Sequence, residues 1–193
     1  MPDMNTLSLC AFGVALLGSF ASQSIAQRSQ LFSIAKGEVS FTSDAPLERI
    51  TAANSVVSGI LDISARNFVV KIPMRNFEGF NSSLQQEHFF ENYVESKLFP
   101  NALFEGRIIE ACDLVSSATY SVRAKGRFTL HGVVQERVIT CTIVVAEEGI
   151  RVTSVFDVQL AEHGIRVPRV VQQKLASVVK VKVDLLFVAS ARK

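Results

Sequence analysis

The stretch that decides the fold is residues 119–130, which read Thr-Tyr-Ser-Val-Arg-Ala-Lys-Gly-Arg-Phe-Thr-Leu. Its even-numbered positions are apolar or glycine, and its odd-numbered positions are polar or charged. Successive side chains of a β-strand point to opposite faces of the sheet. This period of two therefore predicts a strand with one face in water and the other against an apolar interior.

The same alternation recurs along the chain. Residues 68–74 and 150–160 repeat it, and shorter or less regular strands are predicted at 37–42, 56–63, 104–114, 136–146 and 178–188. Most connections between them are too short for crossover helices, so neighbouring strands should be antiparallel. Eight such strands predict an all-β fold, as a closed barrel or as a two-sheet sandwich. Periodicity alone does not choose between the two.

Two stretches depart from this alternation. Residues 82–97 predict a helix that begins at Ser82 or Ser83 and is stopped by Pro100. Residues 167–176 predict a second, short helix near the C-terminus, beginning around Pro168. In the first helix, one face is expected to hold Leu84, His88, Phe89 and Tyr93. The solvated face is expected to hold Glu87, Glu91 and Glu95.

The N-terminal segment reads as a targeting signal. Residues 7–20 are apolar over about the length of a signal-peptide core, which is short of the roughly 20 residues that a spanning helix needs. Ser24 and Ala26 are the small residues that signal peptidase requires. We therefore expect residues 1–26 to be a signal peptide and residues 27–193 to be one periplasmic or secreted domain without a transmembrane segment. The alternative is a retained N-terminal anchor, because no basic residue precedes the apolar run.

Composition and motifs argue against several functions. The 193 residues carry a net charge of +2 without a basic run, which gives no reason to expect a nucleic-acid partner. His88, His131 and His163 match no metal-ligand spacing, and no nucleophile elbow or phosphate loop is present. We expect no catalytic residues, metal or cofactor. The three histidines are expected on the first helix, in a turn and in a polar loop, respectively.

Cys112 and Cys141 would be the cysteines of the mature chain. An even count in an oxidising compartment permits a disulfide. One strand lies between theirs in the predicted meander, which separates them by roughly 9–10 Å. Bridged Cα atoms are seldom more than about 7 Å apart, so we expect two free thiols.

Several stretches together resemble the YceI-like family of exported lipid-binding proteins. They are residues 37–43, 45–48, 59–62, 86–106 and 128–133, in matching order and spacing. The resemblance implies a lipocalin-like antiparallel barrel with a helix packed at its end and an elongated apolar tunnel inside. It also implies a polyisoprenoid or quinone-like amphiphile as ligand.

With this resemblance, the leading hypothesis is non-catalytic binding or transport of an isoprenoid-type lipid. Phe fits such an interior, since it offers apolar area without a polar group, and the chain has 14 Phe and no Trp. The predicted lining residues are Val39, Phe41, Phe68, Val70, Ile72, Phe89, Phe90, Phe104, Ile108, Tyr120, Val122, Phe128, Ile139, Ile143, Val152 and Phe156.

Three alternatives stay open. The same side chains could pack a dry, filled barrel, as in a structural or interaction protein. The cavity could instead serve an enzyme acting on a small apolar substrate. Whether the protein is a monomer or a homodimer is not decided by the sequence.

Overall fold

The computed structural model describes residues 30–190. The predicted signal peptide lies outside the described residues. The strands are β1 Leu31–Asp44, β2 Arg49–Asn54, β3 Ser58–Asp62, β4 Asn67–Pro73, β5 Asn101–Ile108, β6 Ala118–Leu130, β7 Val133–Ala146, β8 Gly149–Gln159 and β9 Val178–Ala189. Helix α1 is Ser83–His88, and three short 3-10 turns cover Met74–Asn76, Leu160–His163 and Arg169–Val171.

The strands form one antiparallel sheet that closes on itself. From β3 to β9 each strand pairs with the next along the chain, and β9 pairs with β1. The other edge of β1 pairs with β2 along one half and with β3 along the other, so β2 and β3 share one position. The barrel therefore has eight strand positions, which confirms the predicted eight-stranded barrel and excludes the sandwich.

Strand β2 is an element that the sequence pattern did not reveal. Fully buried Asn54 marks the interruption between β2 and β3. Its side chain accepts a hydrogen bond from the Val56 backbone N–H and donates one to the Pro73 carbonyl, both at 2.7 Å. The amide thus pairs two backbone groups that the sheet ladder leaves unpaired at the break.

The two ends of the barrel differ. The helical end is formed by residues 45–48, 74–100, 131–132 and 160–177, and helix α1 packs there as predicted. The opposite, packed end is formed by the short connections 63–66, 109–117 and 147–148. The site described below runs between these two ends.

Helix α1 begins as predicted and ends early. The Ser82 hydroxyl accepts a hydrogen bond from the Gln85 N–H at 3.2 Å, which is an N-cap. After His88 the chain widens into a π-helical turn, Phe89–Tyr93, and Glu95 then takes a left-handed φ of 43°. This conformation, rather than Pro100, ends the helix. Leu84 and His88 were predicted to share one face of the helix with Phe89 and Tyr93. Both are exposed, whereas Phe89 and Tyr93 are half-buried.

The second predicted helix is wrong, and only the 3-10 turn Arg169–Val171 forms within it. Short isolated helices are marginal, and this segment bonds to the barrel rim instead. The Gln173 carbonyl accepts from the Leu47 N–H at 2.8 Å, and the Ala176 N–H donates to the Ser43 hydroxyl at 2.9 Å.

Two glycines allow β5 and β6 to approach closely. Gly106 lies opposite Gly126, on the same face as the inward Phe104 and Ile108. A Cβ atom on Gly106 would lie 2.1 Å from the Lys125 carbonyl oxygen and 2.5 Å from the Gly126 Cα. Backbone atoms cannot yield as a flexible side chain can, so these positions require glycine.

We predict that Gly106→Ala lowers the free energy of unfolding by about 1–3 kcal/mol, the usual cost of overpacking. Urea unfolding followed by circular dichroism measures the loss. The control is the neighbouring Arg107→Ala, an exposed position expected to stay within about 0.5 kcal/mol of wild type. Equal stability of Gly106→Ala and wild type would contradict the close approach.

Candidate functional site

The barrel encloses a cavity of about 210 Å³. A water molecule needs about 10–15 Å³ of such space, so more than a dozen water-sized groups would fit. The cavity is long, since each of the strands β1 to β9 contributes at least one residue to its wall and the lining also reaches Gln85 of α1. The dry, filled core that the sequence left open as an alternative is therefore not what the inward faces form.

The wall of the cavity is almost entirely apolar. Among the described lining residues, the polar side chains are Gln85, Tyr93 and Ser154. The Ser154 hydroxyl donates to the Thr140 carbonyl at 2.7 Å. The Gln85 amide donates to the Glu48 carboxylate and accepts from the Asn81 N–H, both at 3.0 Å. Ser154 and Gln85 already have partners, so they make no demand on water, and an apolar cavity of this kind stays dry.

Phenylalanine rings form two groups along the cavity. At the helical end, Phe41 stacks on Phe89 with ring centroids 5.2 Å apart, and Phe80 packs against both. Further inside, four rings carried by β4, β5, β6 and β8 follow one another at centroid distances of 5.0, 6.3 and 6.4 Å. These four are Phe68, Phe104, Phe128 and Phe156. Each of these pairs is tilted or edge-on, which is the geometry that aromatic pairs prefer.

The cavity is closed at the packed end. Its lining reaches Phe68, Ile108 and Phe187 there. Beyond them lie further core side chains that do not line it: Phe32, Ile34, Cys112, Leu114, Tyr120 and Val145. At the helical end the lining continues to Gln85 of α1 and to Leu175 of the segment before β9. The arrangement is a blind channel whose deep end lies mid-barrel and whose other end reaches the loops around α1.

Of the sixteen predicted lining residues, fourteen border this cavity. Phe90 does not, because it lies behind Phe80 and Phe89 and contacts their rings at 6.2 and 5.4 Å. Tyr120 does not, because it belongs to the packed end. The fourteen are Val39, Phe41, Phe68, Val70, Ile72, Phe89, Phe104, Ile108, Val122, Phe128, Ile139, Ile143, Val152 and Phe156.

Lining residues of two kinds were not predicted from the sequence. The first kind lies on β9, where Val179, Val181, Val183 and Leu185 alternate with other residues. This period of two could have predicted that their side chains face the barrel interior. From the loops, Phe77, Phe80 and Leu175 reach the cavity through tertiary packing, and no periodicity marks them.

A polar cluster ties the helical end together. The His131 ring lies in the β6–β7 turn, as predicted, with one nitrogen 3.1 Å from the His163 carbonyl oxygen and the other 2.5 Å from the Glu95 carboxylate. Glu95 is therefore half-buried and does not belong to a solvated helix face, because the chain leaves the helix before it. His88, expected to pack on the helix, is exposed.

His163 is also placed differently from the prediction. It lies in the 3-10 turn after β8 and is fully buried, not in a polar loop. Its ring meets that of Phe128 edge-on at 5.2 Å, and Nδ1 lies 3.3 Å from the Val133 carbonyl oxygen. Nε2 has no hydrogen-bond partner among residues 30–190. Burial lowers the pKa of His163, because a charged imidazolium would lose its hydration there.

Cys112 and Cys141 are both free thiols, as predicted. Cys141 is buried on β7, and Cys112 lies half-buried in the connection that follows β5, with β6 between those strands. Burial raises the pKa of each thiol, which disfavours the reactive thiolate.

Across residues 30–190, no three His, Cys, Asp or Glu side chains stand close enough to hold a metal ion. No helix within that range has both the length and the apolar character to cross a bilayer.

The sequence pattern of the YceI-like domain matches residues 25–189. The chain belongs to the YceI-like family. No curated protein matches it significantly.

Solved structures share the fold at low sequence identity. A polyisoprenoid binding domain from Saccharophagus degradans, implicated in plant cell wall breakdown, superposes with a TM-score of 0.70 at 14% identity, covering 84% of this chain and 100% of that one. BcnA of Burkholderia cenocepacia gives 0.65 at 15%, covering 77% and 94%. The YCEI protein of Campylobacter jejuni gives 0.51 at 10%, covering 98% and 100%. At such identities the likeness shows the barrel fold, which confirms the fold predicted from the resemblance.

We predict that the buried His163 makes the YceI-like barrel less stable in mild acid. Above about pH 7 the imidazole is neutral in both states and has no effect. As the pH falls below about 6.5, the unfolded chain takes up the proton first, so the free energy of unfolding drops. His163→Phe should therefore lose less stability than wild type between pH 7.5 and pH 5, as measured by urea unfolding.

The exposed His88→Gln is the matched control and should follow the wild-type pH dependence. If His163→Phe and wild type lose the same stability over this range, the burial of a neutral His163 is refuted.

Proposed function

We propose that this protein binds and carries an isoprenoid-type lipid inside its barrel, without catalysis. The observation that carries the proposal is the blind, almost entirely apolar cavity, in whose lining Gln85 and Ser154 already have hydrogen-bond partners. An interior of this kind favours a hydrocarbon chain and offers nothing to a polar or charged substrate.

The energetics of such a site suit a lipid tail. Burying a methylene group contributes about 0.8 kcal/mol, so a chain of ten carbons in the cavity can be held firmly by contact alone. Binding should depend on the shape and volume of the cavity more than on any single residue. A polar head group would remain at the helical end, where the lining includes Gln85 and Tyr93.

The choice of an isoprenoid among apolar chains rests on the family. The Saccharophagus degradans domain of the same fold is described as polyisoprenoid binding. A methyl-branched chain also presents rounded apolar groups at intervals, which suits a wall of Phe, Val and Ile side chains. A catalytic role has less support, since the residues at the cavity surface include no acid, base or activated nucleophile.

We further propose that the protein works outside the cytoplasm. The apolar run at residues 7–20 and the small residues Ser24 and Ala26 support an exported precursor cut before Gln27. The lipid would then be carried through an aqueous compartment, where a closed apolar cavity is needed to shield it.

If the lipid binds in the cavity, a larger side chain placed in the channel should weaken lipid binding without unfolding the barrel. Val183 points into the cavity from the middle of β9, between Val39 of β1 and Ser154 of β8. Val183→Phe should weaken binding of geranylgeraniol at least about a hundredfold, since several buried methylene contacts are lost. Titration calorimetry in dilute detergent measures the affinity.

Val155→Phe is the matched control, because it is the same substitution at a position on the outer wall of β8. Val155 is 58% exposed there. It should bind geranylgeraniol as wild type does. If Val183→Phe folds and binds the alcohol equally well, the cavity is not the binding site.

Export predicts a defined mature N-terminus. Expressed in a Gram-negative host, the full chain should accumulate in the periplasm with Gln27 as its first residue, as read by intact mass after osmotic shock. Replacing Ala26 with Tyr should block cleavage, because signal peptidase needs a small residue there. An uncleaved wild-type chain in the membrane fraction would support the retained anchor instead.

A further inference from the structure

The helical end of the barrel exposes large apolar side chains on three separate segments. Leu47 is 67% exposed, Leu84 of α1 is 58% exposed and Val170 is 91% exposed. The three segments adjoin one another. The Leu47 N–H bonds to the Gln173 carbonyl at 2.8 Å, and the Glu48 carboxylate accepts from Gln85 at 3.0 Å. We call Leu47, Leu84 and Val170 the apolar tips.

Positive charge accompanies the apolar tips. Residues 164–177 hold three exposed cations, Arg166, Arg169 and Lys174, and no acidic residue. None of the three is in an ion pair with another residue of the described range 30–190. We call them the basic segment. Of the nearby acids, Glu48 is bonded by Asn81 and Gln85, and Glu91 pairs with Lys97. Three exposed anions, Asp44, Glu78 and Glu87, are in no ion pair within residues 30–190, and neither are the exposed Arg49 and Arg75. Unpaired cations therefore outnumber unpaired anions at this end.

This face surrounds the end of the channel that reaches the loops around α1. Gln85 follows Leu84 directly, and Leu175 follows Lys174 directly, and both side chains line the cavity. Exposed apolar side chains also occur away from the helical end, for example Ile60 opposite Val69 on β3 and β4. On the outer barrel wall, Val138 stands opposite Lys125 and Val144 opposite Arg151, so each is a single valine beside a charge. Within residues 30–190, the helical end alone combines the apolar tips, unpaired cations and the channel.

We propose that the helical end docks on the surface of a membrane that contains anionic phospholipids. The apolar tips enter the headgroup region, the basic segment pairs with lipid phosphates, and the channel then faces the bilayer. A lipid tail passes between bilayer and cavity without crossing water. This inference rests on the proposed function, because it supplies the route by which the carrier is loaded and emptied.

The test uses the mature chain, residues 27–193, and sedimentation with vesicles of phosphatidylcholine alone or mixed with phosphatidylglycerol. We expect binding to the mixed vesicles, weakened by high salt, and little binding to phosphatidylcholine alone. Replacing Arg166, Arg169 and Lys174 together with Gln should weaken binding about a hundredfold, at about 1 kcal/mol for each cation. Leu47→Ser combined with Val170→Ser should weaken it at least about tenfold.

The matched control is Val134→Ser combined with Val138→Ser on the outer wall, which are 53% and 56% exposed and should leave vesicle binding unchanged. Equal binding to both vesicle types, no binding to either, or an equal loss in the wall variant would overturn the proposal. A protein partner captured by this face in place of vesicles would do so too.

Calorimetry with geranylgeraniol separates this proposal from the carrier function. Both docking variants should keep wild-type affinity for the alcohol, because none of the replaced side chains lines the cavity. If vesicles bind but the alcohol does not, the carrier function fails while docking stands. If the alcohol binds but vesicles do not, docking alone fails.

Discussion

The pairing of β1 with β9 is the constraint on which the structure depends. It runs from Phe32 opposite Ala189 to Thr42 opposite Lys180 and joins the two ends of the sheet. Once the sheet is closed, the alternation of each strand sends one set of side chains inward, and a slip of one residue would reverse them all. Closure also fixes eight strand positions, which sets the barrel's radius at the size where side chains either fill the interior or leave room for a small guest.

In this chain, side chains fill one part of the barrel interior and leave room for a small guest in the other part. Toward the packed end, Phe32, Leu114 and Tyr120 belong to the hydrophobic core and do not line the cavity. Toward the helical end, small side chains such as Ala102 and Ala124 leave space that the surrounding rings do not enter. Helix α1 and the segment before β9 enclose that space and do not plug it. A carrier of one apolar chain requires a cavity of this kind, which is closed at the packed end and bordered by loops at the helical end.

The strands could be predicted because their alternation follows from burial of one face, and this also located most of the cavity wall. Strand β2 escaped because Ala52 and Ala53 give little contrast between its faces. The burial of His163 escaped because His-Gly-Ile reads as a loop, whereas Leu160 and Ile165 on either side anchor the turn in the core. The loop side chains Phe77, Phe80 and Leu175 were beyond prediction, since only the closed barrel brings them to the channel.

The central claim is that the hollow interior holds an apolar guest, and native mass spectrometry of protein purified from its own compartment tests it most directly. We predict a complex heavier than the polypeptide by one lipid, which collisional activation releases as a neutral isoprenoid-type molecule. A spectrum that shows the bare polypeptide alone, from preparations never exposed to detergent, would contradict the account.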